Sequence, residues 1–177
     1  MSDTLITVIA IVLAAVLMLI FPLMTMADRT DDVSQLSVET ATADFVDTIR
    51  TTGRITPDNY STFMQNITAT GNTYDVEIEV KVLDENPGKK TEQAQSTVIG
   101  ENVYYSIYTS QILDIIDPDT GTPQNYNLKE GDIVSVKVKN TNLTLAQQLK
   151  NFFYTVTGND TYTIAAESAG MVNATGK

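Results

Sequence analysis

Glu77 and Glu79 lie two residues apart, the spacing that puts two carboxylates on one face of an extended strand, and such pairs act as general acid and base when they line a cleft. Here they alternate with Val76, Ile78 and Val80, so the expected role is the wet face of an amphipathic strand. In "DPDTGTPQN", Asp117 and Asp119 precede the turn residue Gly121 in the way a calcium loop opens. The remaining oxygen ligands and the distal Glu of an EF-hand are absent, so a polar turn is expected there. "PGKKT", Pro87 to Thr91, resembles the tail of a phosphate-binding loop, but a second Lys interrupts the Gly-Lys-Thr order and the upstream Gly is missing. Asn59, Asn66, Asn142, Asn159 and Asn173 each open an Asn-x-Ser/Thr sequon, which chance explains in a chain rich in Thr and Asn. Tyr104, Tyr105 and Tyr108 suit half-buried sheet packing, with a surface aromatic patch for a partner as the alternative.

Composition removes most of the chemistry that these fragments could join. The chain has no Cys and no His, which excludes disulfides, thiolate metal sites and cysteine nucleophiles, and takes away the commonest general base and metal ligand. No catalytic residue, cofactor or metal ligand is assigned, and a non-enzymatic protein is expected. A formal net charge of -11 argues against nucleic acid as a partner and disfavours adhesion to anionic lipid.

The elements that would position any site follow from periodicity. "DDVSQLSVETATADFVDTIRTTG" places Val38, Ala41, Phe45 and Ile49 at helical spacing, with Arg50 in the last turn and Gly53 as C-cap. A second helix starts at Thr56 as N-cap with Pro57 behind it, carries Tyr60, Phe63, Met64 and Ile67 on one face, and stops at Gly71. Tyr74 to Val82 alternates as a strand on an antiparallel sheet, and Val134, Val136 and Val138 mark another, with Leu128 ending the strand before it. Between them, "GENVYYSIYTSQILDII" is β-rich and then helical, with no clear division. Leu145, Leu149, Phe152 and Phe153 predict a short helix ended by Gly158, and Tyr162, Ile164, Ala166 and Ser168 a closing strand. The expected core joins Val76, Ile78, Val80, Val134, Val136 and Val138 to Leu149, Phe152 and Phe153.

Ahead of all this, Leu5 to Met26 contains no charged residue before Asp28, Arg29, Asp31 and Asp32. About 22 residues at 1.5 Å each give roughly 33 Å, the thickness of a bilayer core, whereas a secretory h-region is usually about 7 to 15 residues. A signal should also open on Lys or Arg, and "MSDT" offers only Asp3; the nearest cleavage site, Thr25-Met26-Ala27, is weak. A membrane helix is therefore expected, carried by Leu5, Ile6, Val8, Ile9, Ile11, Val12, Leu13, Val16, Leu17, Leu19, Ile20 and Pro22. Pro22 removes the hydrogen bond to the carbonyl of Met18, so a kink or loosened turn is expected. Ala10, Ala14 and Ala15 permit close approach of neighbouring helices. Arg29 is one basic residue among three Asp and leaves the orientation open.

The string "GDIVSVKVKNTNLTLAQQLKNFFYTVTGNDTYTIAAESAGMV" runs from a strand of alternating valines through a short leucine-rich helix and a Gly turn to a strand of small residues. In that order, and behind one N-terminal hydrophobic helix, it resembles the C-terminal half of TadE-like pilus proteins. The resemblance implies a minor pilin or pseudopilin of the tight-adherence (Tad) type IV pilus machinery. Its head would be extracytoplasmic and its helix would pass from the membrane into a pilus. The partners implied are the membrane, further copies or other pilin subunits, and the assembly machinery. The family's leader ending in Gly and its Glu early in the helix have no counterpart here, which leaves processing open.

The expected fold is α+β: a membrane helix over 1–28, a helical stalk and second helix over 29–71, and a head with an antiparallel sheet and short helices over 72–177. Two other readings stand beside the filament subunit. One is a single-pass, membrane-anchored surface binder or scaffold that forms no filament; the other is an enzyme released by cleavage near Ala27. Ala14→Asp should cost about 2.5–3.5 kcal/mol at the centre of a span. Alkaline extraction of membranes tests it: the variant should be lost from the integral fraction, and undiminished retention would remove the span.

Overall fold

The computed structural model describes residues 2–84, 103–118, 121–154 and 163–176, with the backbone alone at residue 2 and at 152–154. The "PGKKT" segment, Asp119, Asn159 and Tyr162 therefore lie outside the described residues. Helix α1 (Ser2–Thr52) leads through β1 (Arg54–Ile55) to α2 (Pro57–Thr68), β2 (Tyr74–Leu83) and β3 (Tyr104–Tyr108). Helix α3 (Thr109–Ile116), β4 (Tyr126–Asn127), β5 (Ile133–Asn140), α4 (Leu145–Tyr154) and β6 (Ala165–Met171) follow. The fold is α+β, with a long apolar N-terminal helix ahead of antiparallel sheets and short helices.

The main sheet has the order β3-β2-β5-β6, antiparallel throughout, with Val76 opposite Val138, Ile78 opposite Val136 and Val80 opposite Val134. This register follows from the alternation in both strands, since a slip by one residue would turn every valine to water. The apolar face buries Ile78, Val80, Val134, Val136, Val138, Ile164 and Ala166 against Val38, Phe45, Val46 and Ile49 of α1. On the other face Glu77 sits opposite Lys137 and Lys137 opposite Glu167, the latter pair 3.4 Å apart.

The stretch expected to be a stalk is thus the core helix of the head, packed on β5 and β6. Its period was readable; what covers that face was not. Helix α1 runs from Ser2 to Thr52 with Pro22 inside it. A proline deletes one backbone bond of a long ladder, and just beyond it the Thr25 hydroxyl donates to the carbonyls of Phe21 and Pro22 at 3.1 and 2.8 Å.

Helix α2 starts at the expected cap, where Thr56 and Asn59 exchange side chain-to-backbone bonds of 2.8 and 3.1 Å. It packs on α1 through stacked rings of Phe63 and Phe45, centroids 4.4 Å apart. The undivided stretch after Val103 resolves at Tyr108. There β3 turns into α3, and the Thr109 hydroxyl takes the place of a strand, accepting from the Ile78 N–H at 2.7 Å and donating to its carbonyl at 3.2 Å. Helix α4 turns a different face inward than its leucines suggest. Leu145 is exposed and Leu149 half-buried, while Ala146 and Gln147 are buried.

At the far end of α1, Gly53 takes φ +68°, a left-handed conformation that ends the helix, and a Cβ there would run into the carbonyl of Ala174. The Gly53 carbonyl accepts from Leu128 N–H at 2.8 Å, and the Leu128 carbonyl from Gly176 N–H at 2.9 Å, so the C-terminal tail closes this end of the head. Beside it, burial, then Asp132, then Tyr105 push the Tyr126 phenol up to about 12 from 10.0. A phenol whose folded pKa is raised adds stability below its unfolded value near 10 that disappears as pH rises through about 12. Tyr126→Phe should accordingly flatten the loss of stability across that alkaline range, measured by denaturant unfolding at a series of pH values. An unchanged slope would remove Tyr126 as its source.

Candidate membrane and assembly helix

Leu5, Ile6, Val8, Ile9, Ile11, Val12, Leu13, Val16, Leu19 and Pro22 are all exposed, Leu19 as much as 76 %. Leu17 and Ile20 are half-buried. This half of α1 is long and apolar enough to cross a membrane, and none of its most apolar window is buried within the chain. Soluble monomers rarely expose a continuous apolar patch beyond a few hundred Å², so such a surface calls for lipid or protein around it.

Burial along α1 marks where the head begins. Leu17, Ile20 and Met24 are half-buried, and Ala27, Asp31, Ser34 and Val38 continue the same helical stripe as fully buried positions, Ala27 at 5 % exposure. Full burial thus begins at Ala27, and partial cover extends down the same stripe to Leu17. Helix α4 is joined to α1 here: the buried Asp31 carboxylate accepts from the Thr144 hydroxyl at 2.6 Å, and Asp28 pairs with Lys150 at 2.6 Å. Thr144 is held for this by a capping box, its N–H donating to Gln147 Oε1 at 3.0 Å while its hydroxyl accepts from Gln147 N–H at 3.2 Å.

Farther along, α1 clips both ends of the edge strand β6. Gln35 accepts from Ala165 N–H at 3.0 Å and donates to its carbonyl at 2.7 Å, and Arg50 Nε donates to the Met171 carbonyl at 3.0 Å. From Gln35 to Arg50 a helix advances roughly 22 Å, and from Ala165 to Met171 a strand advances roughly 20 Å. Matching lengths let the helix lie along the strand. Gly170 permits the close approach, since a Cβ there would come within 2.5 Å of the Arg50 side chain.

The other residues with chemical potential do not converge. Glu77 and Glu79 share the open face, where Glu79 accepts from the Ser106 hydroxyl at 2.7 Å. Asp117 caps the end of α3. Among the described residues no group of three or more His, Cys, Asp or Glu side chains is placed to hold a metal ion. Asn59 is committed to the α2 cap and Asn142 accepts from Thr73 N–H at 2.9 Å, whereas Asn66 and Asn173 are exposed. Tyr105 and Tyr108 are exposed and Tyr104 half-buried.

Sequence reasoning located the apolar helix but missed the residues that lock it to the head. Thr144-x-x-Gln147 is a capping-box signature and could have placed the start of α4. Asp31 and Gln35 carry no such signal, because their partners are 113 and 130 residues away. Together the helix and head define an α+β domain built around one half of a long helix whose other half is apolar. No protein-family model, curated protein or solved structure matches the chain. Thr144→Val should leave the buried Asp31 oxygen without its donor and cost about 1–3 kcal/mol. Thermal unfolding in detergent checks this against Thr62→Val at an exposed position, which should change little.

Proposed function

We propose that the chain is a non-enzymatic, pilin-like structural subunit, a minor pilin or pseudopilin of a Tad or type IV-like surface filament. It is held in the cytoplasmic membrane by the apolar half of α1 with its head extracytoplasmic, and assembles through that half with further copies or other pilin subunits. The observation that carries this reading is the unbroken α1, bare and apolar in one half and built into the head core in the other. A passive anchor needs only a tether. A helix locked to its head at Asp31, Gln35 and Arg50 instead gives every head one orientation relative to the apolar half, which is what side-by-side assembly requires. In such a bundle the helix exchanges lipid for other helices, little hydrophobic transfer is gained, and close packing at Ala10, Ala14 and Ala15 supplies the contact.

A membrane-anchored surface binder is the second reading, favoured by exposed Tyr108 beside an open groove of about 410 Å³ that Glu77, Glu79, Ser135 and Lys137 also line. Shearing cells and probing the released filaments separates the two. The subunit reading expects the chain in the filaments, and with no native Cys, an Ala14→Cys variant should form disulfide-linked copies there on oxidation. Recovery in the membrane fraction alone would sink it.

A further inference from the structure

An open groove of about 640 Å³ lies on the side of α1 turned away from α4, where Met26, Arg29 and Val33 stand across from Ala69 and Thr70 at the end of α2. Met26 and Val33 are 70 % and 64 % exposed. Val33 follows the buried Asp31 by two residues, a turn of roughly 200° around the helix, so the groove and α4 occupy opposite sides of α1. They also share one level along it, because Thr144 at the start of α4 is bonded to Asp31, midway between Met26 and Ser37 at the ends of the groove. Thr144 is flanked by Leu143 and Leu145, 57 % and 55 % exposed. The charges correspond as well. Arg29 is the one charged residue that lines the groove, and among the described residues it has no ion pair. Across α1, Asp28 is held by Lys150 of α4, and the exposed Asp32 stands one turn farther along the same side.

We propose that this groove receives the start of α4 of a second copy, with Leu143 and Leu145 of the neighbour set against Met26 and Val33 and its Asp32 paired with Arg29. This rests on the reading of α1 as a membrane and assembly helix. If Leu5 to Met26 fills the hydrocarbon, Val33 stands roughly 10.5 Å beyond it, past the polar zone of about 5–7.5 Å, so protein and not lipid covers the groove. Copies held by the same span also share height and direction. Two matching patches at one level on opposite sides of α1 therefore meet when copies stand side by side. The contact joins unlike surfaces, so a pair keeps one groove and one α4 free, and a row of such contacts closes into a ring or continues as a helical filament.

Cells making two differently tagged full-length chains, one with Val33→Cys and one with Leu145→Cys, test the contact by mild oxidation of their membranes and sheared material, since the chain has no other Cys. Disulfides between the two tags should exceed those of either variant with itself several-fold, and a chain carrying both substitutions should give a ladder of dimers, trimers and longer species. Like and unlike pairs linked equally, or a double variant that stops at dimers, overturns the proposal. Arg29→Glu on the Val33→Cys chain should lower the link several-fold, and Asp32→Arg on the Leu145→Cys chain should restore it; an unchanged link, or a loss that is not restored, overturns it too. Ala14→Cys separates the two readings. If it links copies and the Val33–Leu145 pair does not, assembly through α1 stands and this contact falls, whereas if neither links, both fall. Circular dichroism of each purified variant verifies that the head remains folded.

Discussion

The packing of α1 across β5 and β6 is the contact on which the rest of the molecule depends. Val38, Phe45, Val46 and Ile49 present one apolar stripe to the valines of β2 and β5, and without it those strands would form a sheet with one greasy face open to water. The same helix supplies α2 with Phe45 as a stacking partner, α4 with Asp31, and β6 with Gln35 and Arg50. Among the described residues no other element touches so many parts of the head.

That arrangement places one continuous helix in two environments. A helix of 51 residues is roughly 77 Å long, and about half of it is committed to the head while the other half is bare. Helix α1 continues past Pro22, which removes one bond of its ladder, and through the acidic boundary at Asp28 to Asp32, so the head and the apolar half share one helix. Gln35 and Arg50 also occupy free hydrogen-bonding groups at the ends of β6, which blunts an edge strand that would otherwise invite pairing with another chain.

The candidate helix was legible almost entirely from the sequence, since length and the absence of charge are local properties. The α2 cap, the two valine strands and the turn at Gly53 were legible for the same reason: each is specified by residues within a few positions of one another. The short helix shows where that logic fails. Leu145 and Leu149 have helical spacing, and the helix is there, but Leu145 is exposed, because the Thr144–Gln147 box and Asp31 decide which side of α4 meets α1.

Periodicity by itself determined the elements, the apolar face of each strand and the exceptional first helix. Tertiary structure alone decided that Val38, Phe45, Val46 and Ile49 of α1 enter the core of the head, that Asp31 is buried with a partner 113 residues away, and that full burial along α1 begins at Ala27. The reason is physical. A repeat in the chain records which side of an element avoids water, and only the folded arrangement determines whether another element, a second molecule or lipid covers that side.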